Sequence, residues 1–270
     1  MKQPDENAAP SVLRDTQSEP DHRRIHIDRV GVKNLRFPIQ VSTSPGDSQS
    51  TIATVQLTVD LPHQFKGTHM SRFLEVLQSH GPVLHPEDIE HLLRSLIARL
   101  HSKRGHLELE FPFFLGKKAP VTGAPGLVDY TARFSATADE NIFDLVSTVI
   151  VNVTTLCPCS KAISTAGAHN QRGQVTLSLR AKETIPLAEM VAMAERAASS
   201  ELYSVLKRPD EKAVTERAYA NPVFVEDLVR SIAAEVDTDP RITWWRVEAE
   251  NFESIHNHNA YALVEKHPRK

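Results

Sequence analysis

The sequence predicts an α+β fold built twice, as two tandem ββααββ units, each a four-stranded antiparallel sheet with two helices on one face. Three observations carry this prediction. Apolar residues alternate along several segments, which is the period of a half-buried strand. In other segments they recur at i, i+3, i+4 and i+7, the period of an amphipathic helix. The same order of segments then occurs a second time. Residues 26–138 form the first unit and residues 139–270 the second, behind a polar tail at 1–25.

In the first unit, residues 28–44 read as a strand. Residues 52–61 follow as another, with Val55, Leu57, Val59 and Leu61 on alternate positions. A short helix is expected at 70–79. Pro86 then opens a stronger one, with Ile89, Leu92, Leu93, Leu96, Ile97 and Leu100 on one face. Two strands close the unit, carrying Leu107, Leu109, Phe111 and Phe113, then Val128, Tyr130, Ala132 and Phe134. The second unit has strands near 142–155 and 174–182. A helix runs from Leu187 through Met190, Val191, Ala194 and Ala198 and is expected to extend toward Leu206. Asn221 and Pro222 read as the cap and first turn of the next helix, whose face is Val225, Leu228, Val229, Ile232 and Ala233. Strands near 242–249 and 260–265 complete it. Open antiparallel sheets of this kind have edges to pair, so an oligomer that closes them into a barrel is expected.

Composition removes several classes of function. The formal net charge of −3 is the wrong sign for a broad nucleic-acid footprint, though it allows a local basic pocket for a phosphorylated small molecule. No run of about 18 apolar residues is present, so no membrane span is expected. The first 24 residues lack the apolar core of a secretory signal, and their Pro, Asp, Glu, Gln and Ser content fits a disordered tail. The two cysteines, Cys157 and Cys159, are too few and too close for a disulfide framework, which points to a reducing cytoplasm. Neither a GxxxxGK[ST] loop nor a GxGxxG turn occurs.

The residues with chemical character gather in the second half. They are Cys157, Cys159 and Lys161 just past a strand; His169 and Arg172 just before the next; Arg208 and Glu211 in the link between two helices; and Glu253 and His256 between the last two strands. Thiolate, imidazole and carboxylate are ligands for a divalent ion, and a mixed set suits a catalytic site better than a closed structural one. Taken alone, Cys157 and Cys159 read equally well as a buried, inert pair. Glu226, between apolar Val225 and Leu228, is either a carboxylate on a helix dipole or a buried anchor for paired N–H groups of a purine. Lys161, Arg172, Lys207 and Arg208 are donors suited to a triphosphate. His69 precedes a helix in the first half. It is either a cap or a residue that reaches a site across a subunit contact.

The strings LCPCSK, GAHNQRG, RPDE, NPVFVED and ESIHNH, with GTHMSRF and the doubled ββααββ order, closely resemble the GTP cyclohydrolase type IB family. The resemblance runs from about residue 26 to the end. It implies a bimodular tunnelling fold whose sheets form a barrel on oligomerisation, a homotetramer, and active sites at subunit interfaces. It also implies conversion of GTP and water to 7,8-dihydroneopterin triphosphate with release of formate, the first step of folate-type pterin synthesis. By motif, Cys157, Glu211, Glu253 and His256 resemble metal ligands, for Zn²⁺, Mn²⁺ or Fe²⁺. His169 and Cys157 resemble catalytic residues, with Cys159 assisting. Glu226 resembles the guanine anchor, and Lys161 and Arg172 are the neighbouring substrate contacts. Two other readings stay open: a related enzyme forming a cyclic-phosphate pterin, and a purine- or pterin-binding protein without turnover.

Overall fold

The computed structural model describes residues 15–17, 19–44 and 46–267. Eight strands form one sheet in chain order, with every neighbouring pair antiparallel. They are β1 (Ile27–Val41), β2 (Gln49–Leu61), β3 (Gly105–Lys118), β4 (Pro125–Ala138), β5 (Phe143–Leu156), β6 (Asn170–Ala181), β7 (Ile242–Asn251) and β8 (Ala260–Glu265). The helices are α1 (Met70–His80), α2 (Ile89–Leu100), α3 (Pro158–Ile163), α4 (Leu187–Ala197), α5 (Arg208–Ala220) and α6 (Val225–Thr238), with a 3-10 turn at Pro86–Asp88 before α2.

Alternation decides which face of the sheet is covered. Val55, Leu57, Leu107, Leu109, Phe111, Phe134, Val151, Leu177 and Val247 all point to one face and are buried. Against them pack Phe73 and Leu77 of α1, Leu92, Leu93 and Leu96 of α2, Met190 and Ala194 of α4, and Leu228 and Ile232 of α6. The intervening positions face the other way and are mostly polar, with exceptions such as Ile52, Phe114 and Leu263. They carry cross-strand pairs such as Arg133 with Glu110 (2.6 Å) and Arg180 with Asp144 (2.6 Å). Gly31 permits the closest approach of β1 to β2, since a Cβ there would lie 2.1 Å from the Leu57 carbonyl oxygen.

The two halves of the sheet join at the β4–β5 hairpin and then part. Pairing runs from Ala138–Phe143 to Thr131–Ile150. Beyond that, Thr154 of β5 pairs with Ser200 instead, its N–H donating to the Ser200 carbonyl at 2.9 Å. This corrects the expectation that the helix from Leu187 continues toward Leu206. It ends at Ala197, because the uncovered backbone of β5 is satisfied by Ser200 and by the Ser199 hydroxyl, which accepts from the Leu156 N–H at 3.0 Å. Lys117 of β3 also draws this segment in, donating to Glu195 and Glu201 at 2.7 Å each and to the Leu202 carbonyl.

Two further expectations change. Residues 208–211 are not a link but the first turn of α5, a helix with only Asp210 and Ala218 buried and thus with little amphipathic signal. Asn221 does not cap the last helix. It ends α5, its side chain donating to the Ala198 carbonyl at 2.9 Å, while α6 starts at Val225. The short helix α3 was not expected. Of the tail at 1–25, residues 1–14 and 18 lie outside the described residues. Part of the remainder packs on the segment before α1, with Pro20 bridging Phe65 and Gly67 N–H donating to the Gln17 carbonyl at 3.0 Å.

Candidate active site

The end of β5 and the start of β6 are held together by the residues of two motifs. Cys157 N–H donates to the His169 carbonyl at 3.1 Å. Cys157 is also the N-cap of α3, its Sγ accepting from the Ser160 N–H at 3.4 Å. The Ser160 hydroxyl donates to the Cys157 carbonyl at 3.1 Å and accepts from the His169 N–H at 3.2 Å. One serine therefore fixes the thiol-bearing and imidazole-bearing segments relative to each other. Cys157 is half-buried and Cys159, in the first turn of α3, is exposed.

The His169 ring sits between three partners. Its Nδ1 lies 3.0 Å from Gln171 Oε1, 3.4 Å from the Ser254 hydroxyl and 3.9 Å from Glu253 Oε2. His169 and Glu253 side chains are each only 13% exposed, so their ion pair is poorly screened when the ring is protonated. The Gln171 amide nitrogen donates to Thr155 Oγ1 at 3.0 Å, which turns its oxygen toward the ring. That oxygen accepts a proton held on Nδ1, which assigns Nε2 as the basic nitrogen. Gln171, Ser160 and Ser254 lie inside the quoted motifs, but nothing in their spacing singled them out; their role is visible only once Cys157 and His169 are placed side by side.

Among the described residues, Glu253 is the one other predicted residue whose side chain contacts this pair. Phe252 N–H donates to the Arg172 carbonyl at 2.9 Å, which brings the β7–β8 turn beside β6. Within that turn His256 is exposed and stacks on His258, with ring centroids 5.1 Å apart. Lys161 is committed elsewhere: its ammonium donates to the Tyr219 carbonyl and lies 4.4 Å over the Tyr219 ring. Arg172, Lys207 and Arg208 are exposed. Glu226 occupies the first turn of α6 and is exposed on the single chain, so the expected buried carboxylate is not found there. Its neighbours Val225 and Leu228 are the side chains that turn inward, and the helix dipole already suits an acid at that surface position. Glu211 is exposed in the first turn of α5, eight residues and about 12 Å of helix from Tyr219, the residue that meets Lys161.

Among the described residues, no three His, Cys, Asp or Glu side chains are gathered so as to hold a metal ion. The donor chemistry fits a divalent ion, with a thiol, an imidazole and a carboxylate around one strand end, but one chain does not close the set. Exposed apolar side chains rim this region, including Ile163 at 85% and Ile255 at 64%. His69, from the first half, precedes α1 with its Nε2 3.3 Å from the Asp15 carboxylate. A larger cavity of about 1010 Å³ lies away from these residues, lined by Arg29, Arg94, Arg104, His106 and Asp139. Its arginines already face Glu108, Glu90 and Asp139.

The family model described as type I GTP cyclohydrolase FolE2 matches residues 13–262. This chain belongs to that family. It is 58% identical over 257 residues to the GTP cyclohydrolase FolE2 of Akkermansia muciniphila, covering 94% of this chain and 97% of that one. It is 54% identical to the FolE2 of Magnetococcus marinus (94% and 96% covered) and 49% identical to that of Methylobacillus flagellatus (97% and 99%). Among solved structures, urate oxidase from Bacillus sp. TB-90 matches with a TM-score of 0.51 at 10% identity, covering 89% of this chain and 99% of that chain. That likeness is one of fold, the tunnelling fold, and in the second half of this chain α3 and α5 are added to the ββααββ order. No helix among the described residues is long and apolar enough to cross a membrane.

Proposed function

We propose that this FolE2-family chain is a GTP cyclohydrolase that opens the imidazole ring of GTP, releases formate and forms 7,8-dihydroneopterin triphosphate for folate biosynthesis. The observation that carries the reading is the clamped pair of Cys157 and His169, with Gln171 and Glu253 on Nδ1 of the imidazole. This arrangement gives a thiol, a base at Nε2 and a supporting carboxylate at one strand end. Attack of water at C8 and hydrolysis of the resulting formamide both need a group that takes and returns a proton near neutral pH, and His169 is placed for that. Glu253 stands 3.9 Å from Nδ1, on the side of the ring that faces Gln171. Cys159, exposed on α3, is a second candidate for the later proton transfers.

Cys157, Glu253 and His256, with Glu211, would hold the divalent ion, Zn²⁺, Mn²⁺ or Fe²⁺. When bound, such an ion supplies a Lewis acid that activates water near neutral pH. Glu226 would accept from the guanine N1–H and 2-amino groups, two charge-assisted bonds that select guanine. Arg172 and the donors Lys207 and Arg208 would face the triphosphate, while Lys161 shapes the rim through Tyr219. The exposed apolar rim, the surface position of Glu226 and the unclosed ligand set all favour a site completed by a second copy of the chain. We read that assembly as a homotetramer with the open edges of β1 and β8 paired into a barrel. Two free thiols and a nucleotide substrate suit a cytoplasmic setting.

The test is incubation with GTP, with formate measured directly and the pterin product weighed by mass spectrometry. The expected product is dihydroneopterin triphosphate with one formate per GTP. A cyclic-phosphate pterin, or binding without turnover, overturns the reading.

A further inference from the structure

Asp210 is fully buried, while Arg208, Pro209, Glu211 and Lys212 beside it are exposed. Its Oδ1 accepts from the backbone N–H groups of Val121 (2.9 Å) and Thr122 (2.8 Å). Its Oδ2 accepts from the Thr122 hydroxyl (2.7 Å) and the Lys207 N–H (2.9 Å). Capping α5 requires only the last of these four bonds. The other three reach the β3–β4 turn, which belongs to the first half of the chain.

That turn is a firm base. The strands leading into it pair without interruption up to Lys118–Pro125. Ala119 N–H donates to the Ala124 carbonyl at 2.9 Å, and Gly123, at φ +67°, donates to the Ala119 carbonyl at 3.0 Å. The other bonds of α5 lie in its last turns, where Arg217 meets Glu201 and Tyr203 and the Tyr219 carbonyl accepts from Lys161, and Ala218 is its one further buried residue. Lys117 fastens the preceding segment to the same strand end through Glu201. The first turn of α5 therefore stands where Asp210 and the β3–β4 turn hold it.

We propose that Asp210 is a positioning residue for Glu211, setting the place of that carboxylate as a metal ligand from a platform supplied by the first ββααββ unit. The proposal rests on the reading of Glu211 as a ligand. Asp210 itself is turned inward, away from the ligand set, and acts through the backbone of the helix turn.

The test uses full-length protein stripped of metal and titrated with Mn²⁺, with free Mn²⁺ read by electron paramagnetic resonance alongside GTP kinetics, oligomeric state and circular dichroism. Glu211→Gln should weaken Mn²⁺ binding at least about 100-fold, and excess Mn²⁺ should not restore kcat. Asp210→Asn should weaken it about 10- to 100-fold, the range for a group supporting a metal ligand, with the oligomer intact and kcat largely recovered in excess Mn²⁺. Thr122→Val, which removes one of the four bonds, should shift affinity the same way by less. Wild-type Mn²⁺ affinity in a folded Asp210→Asn protein overturns the proposal. Should that variant not fold, wild-type affinity in Thr122→Val overturns it equally. Unchanged Mn²⁺ binding in Glu211→Gln refutes the ligand reading itself, a result distinct from weakened Glu211→Gln with unchanged Asp210→Asn.

Discussion

The β3–β4 turn and the β7–β8 turn occupy the same place in the two repeats and are built in opposite ways. Residues 119–124 close on themselves through backbone hydrogen bonds and offer two further N–H groups to Asp210. Residues 252–259 are mostly exposed and place Glu253 against His169 and His256 against His258. The first turn spends its polar groups on itself and on a helix of the other half; the second presents them outward. A duplicated fold lets one copy supply anchorage while the other carries reactive side chains. The same division holds elsewhere: the β1–β2 connection accepts the Ala188 N–H on the Thr43 carbonyl, at the start of α4, whereas the β5–β6 connection carries Cys157 and His169.

Substitutions on either side of this division should separate turnover from stability. The largest effect belongs to Cys157→Ala, for which formate release should fall below detection while circular dichroism and oligomer size stay those of the parent. His169→Ala should lower kcat about 10²- to 10⁴-fold, the usual range for loss of a general acid–base. Gln171→Ala should lower it less, about 10-fold, because the ring loses the acceptor that fixes its tautomer.

On the anchoring side, Lys117→Met leaves Glu195 and Glu201 without their shared cation at the parting of β4 and β5. Loss of one partner from a buried ion pair costs about 3–5 kcal/mol, which a urea melt will read, and the residual folded protein should keep its kcat. The smallest effects are those of pH on stability. Burial raises the Asp210 pKa, but hydrogen bonds from Thr122, Lys207 and Val121 outweigh it and hold the group far below the ordinary carboxylate range. Its contribution is therefore complete above the unfolded value and shrinks as pH falls toward the folded one. The acid limb of a Tm-against-pH curve should be flatter in Asp210→Asn. Glu195 has the opposite sign: burial outweighs its bonds from Lys117 and Tyr130 and raises its pKa, so its contribution declines as pH rises through the folded value. Glu195→Gln should remove that decline.

The strands and the helices α1, α2, α4 and α6 were legible because burial on one side forces a period, as in Val55–Val59 and Leu92–Leu96. α5 was not, since a helix that buries only one aspartate and one alanine leaves no apolar stripe. The end of α4 was hidden for a different reason: local sequence continues to favour helix past Ala197, and it is the uncovered edge of β5, a long-range feature, that draws Ser199 and Ser200 out of it. At the site, the two motifs flanking one connection put Cys157 and His169 within reach of each other, as their backbone bond has them, whereas the approach of Glu253 to His169 is visible only in the fold. Motif order gave no sign of the Ser160 and Gln171 bonds that orient them, because those depend on strand register rather than spacing. Nor did it show that Glu226 and Glu211 lie at the surface of the single chain, where residue identity alone carries no information about exposure.

The proposed reaction lies at the β5–β6 and β7–β8 connections of the second repeat. The most direct test is formate release from GTP by metal-stripped protein, before and after adding back Mn²⁺ or Zn²⁺ separately, in the parent chain and in Cys157→Ala. The expected result is no release without metal, recovery in the parent with at least one of the two ions, and no recovery in Cys157→Ala. Full turnover by the metal-stripped parent, or by Cys157→Ala with metal restored, would contradict it.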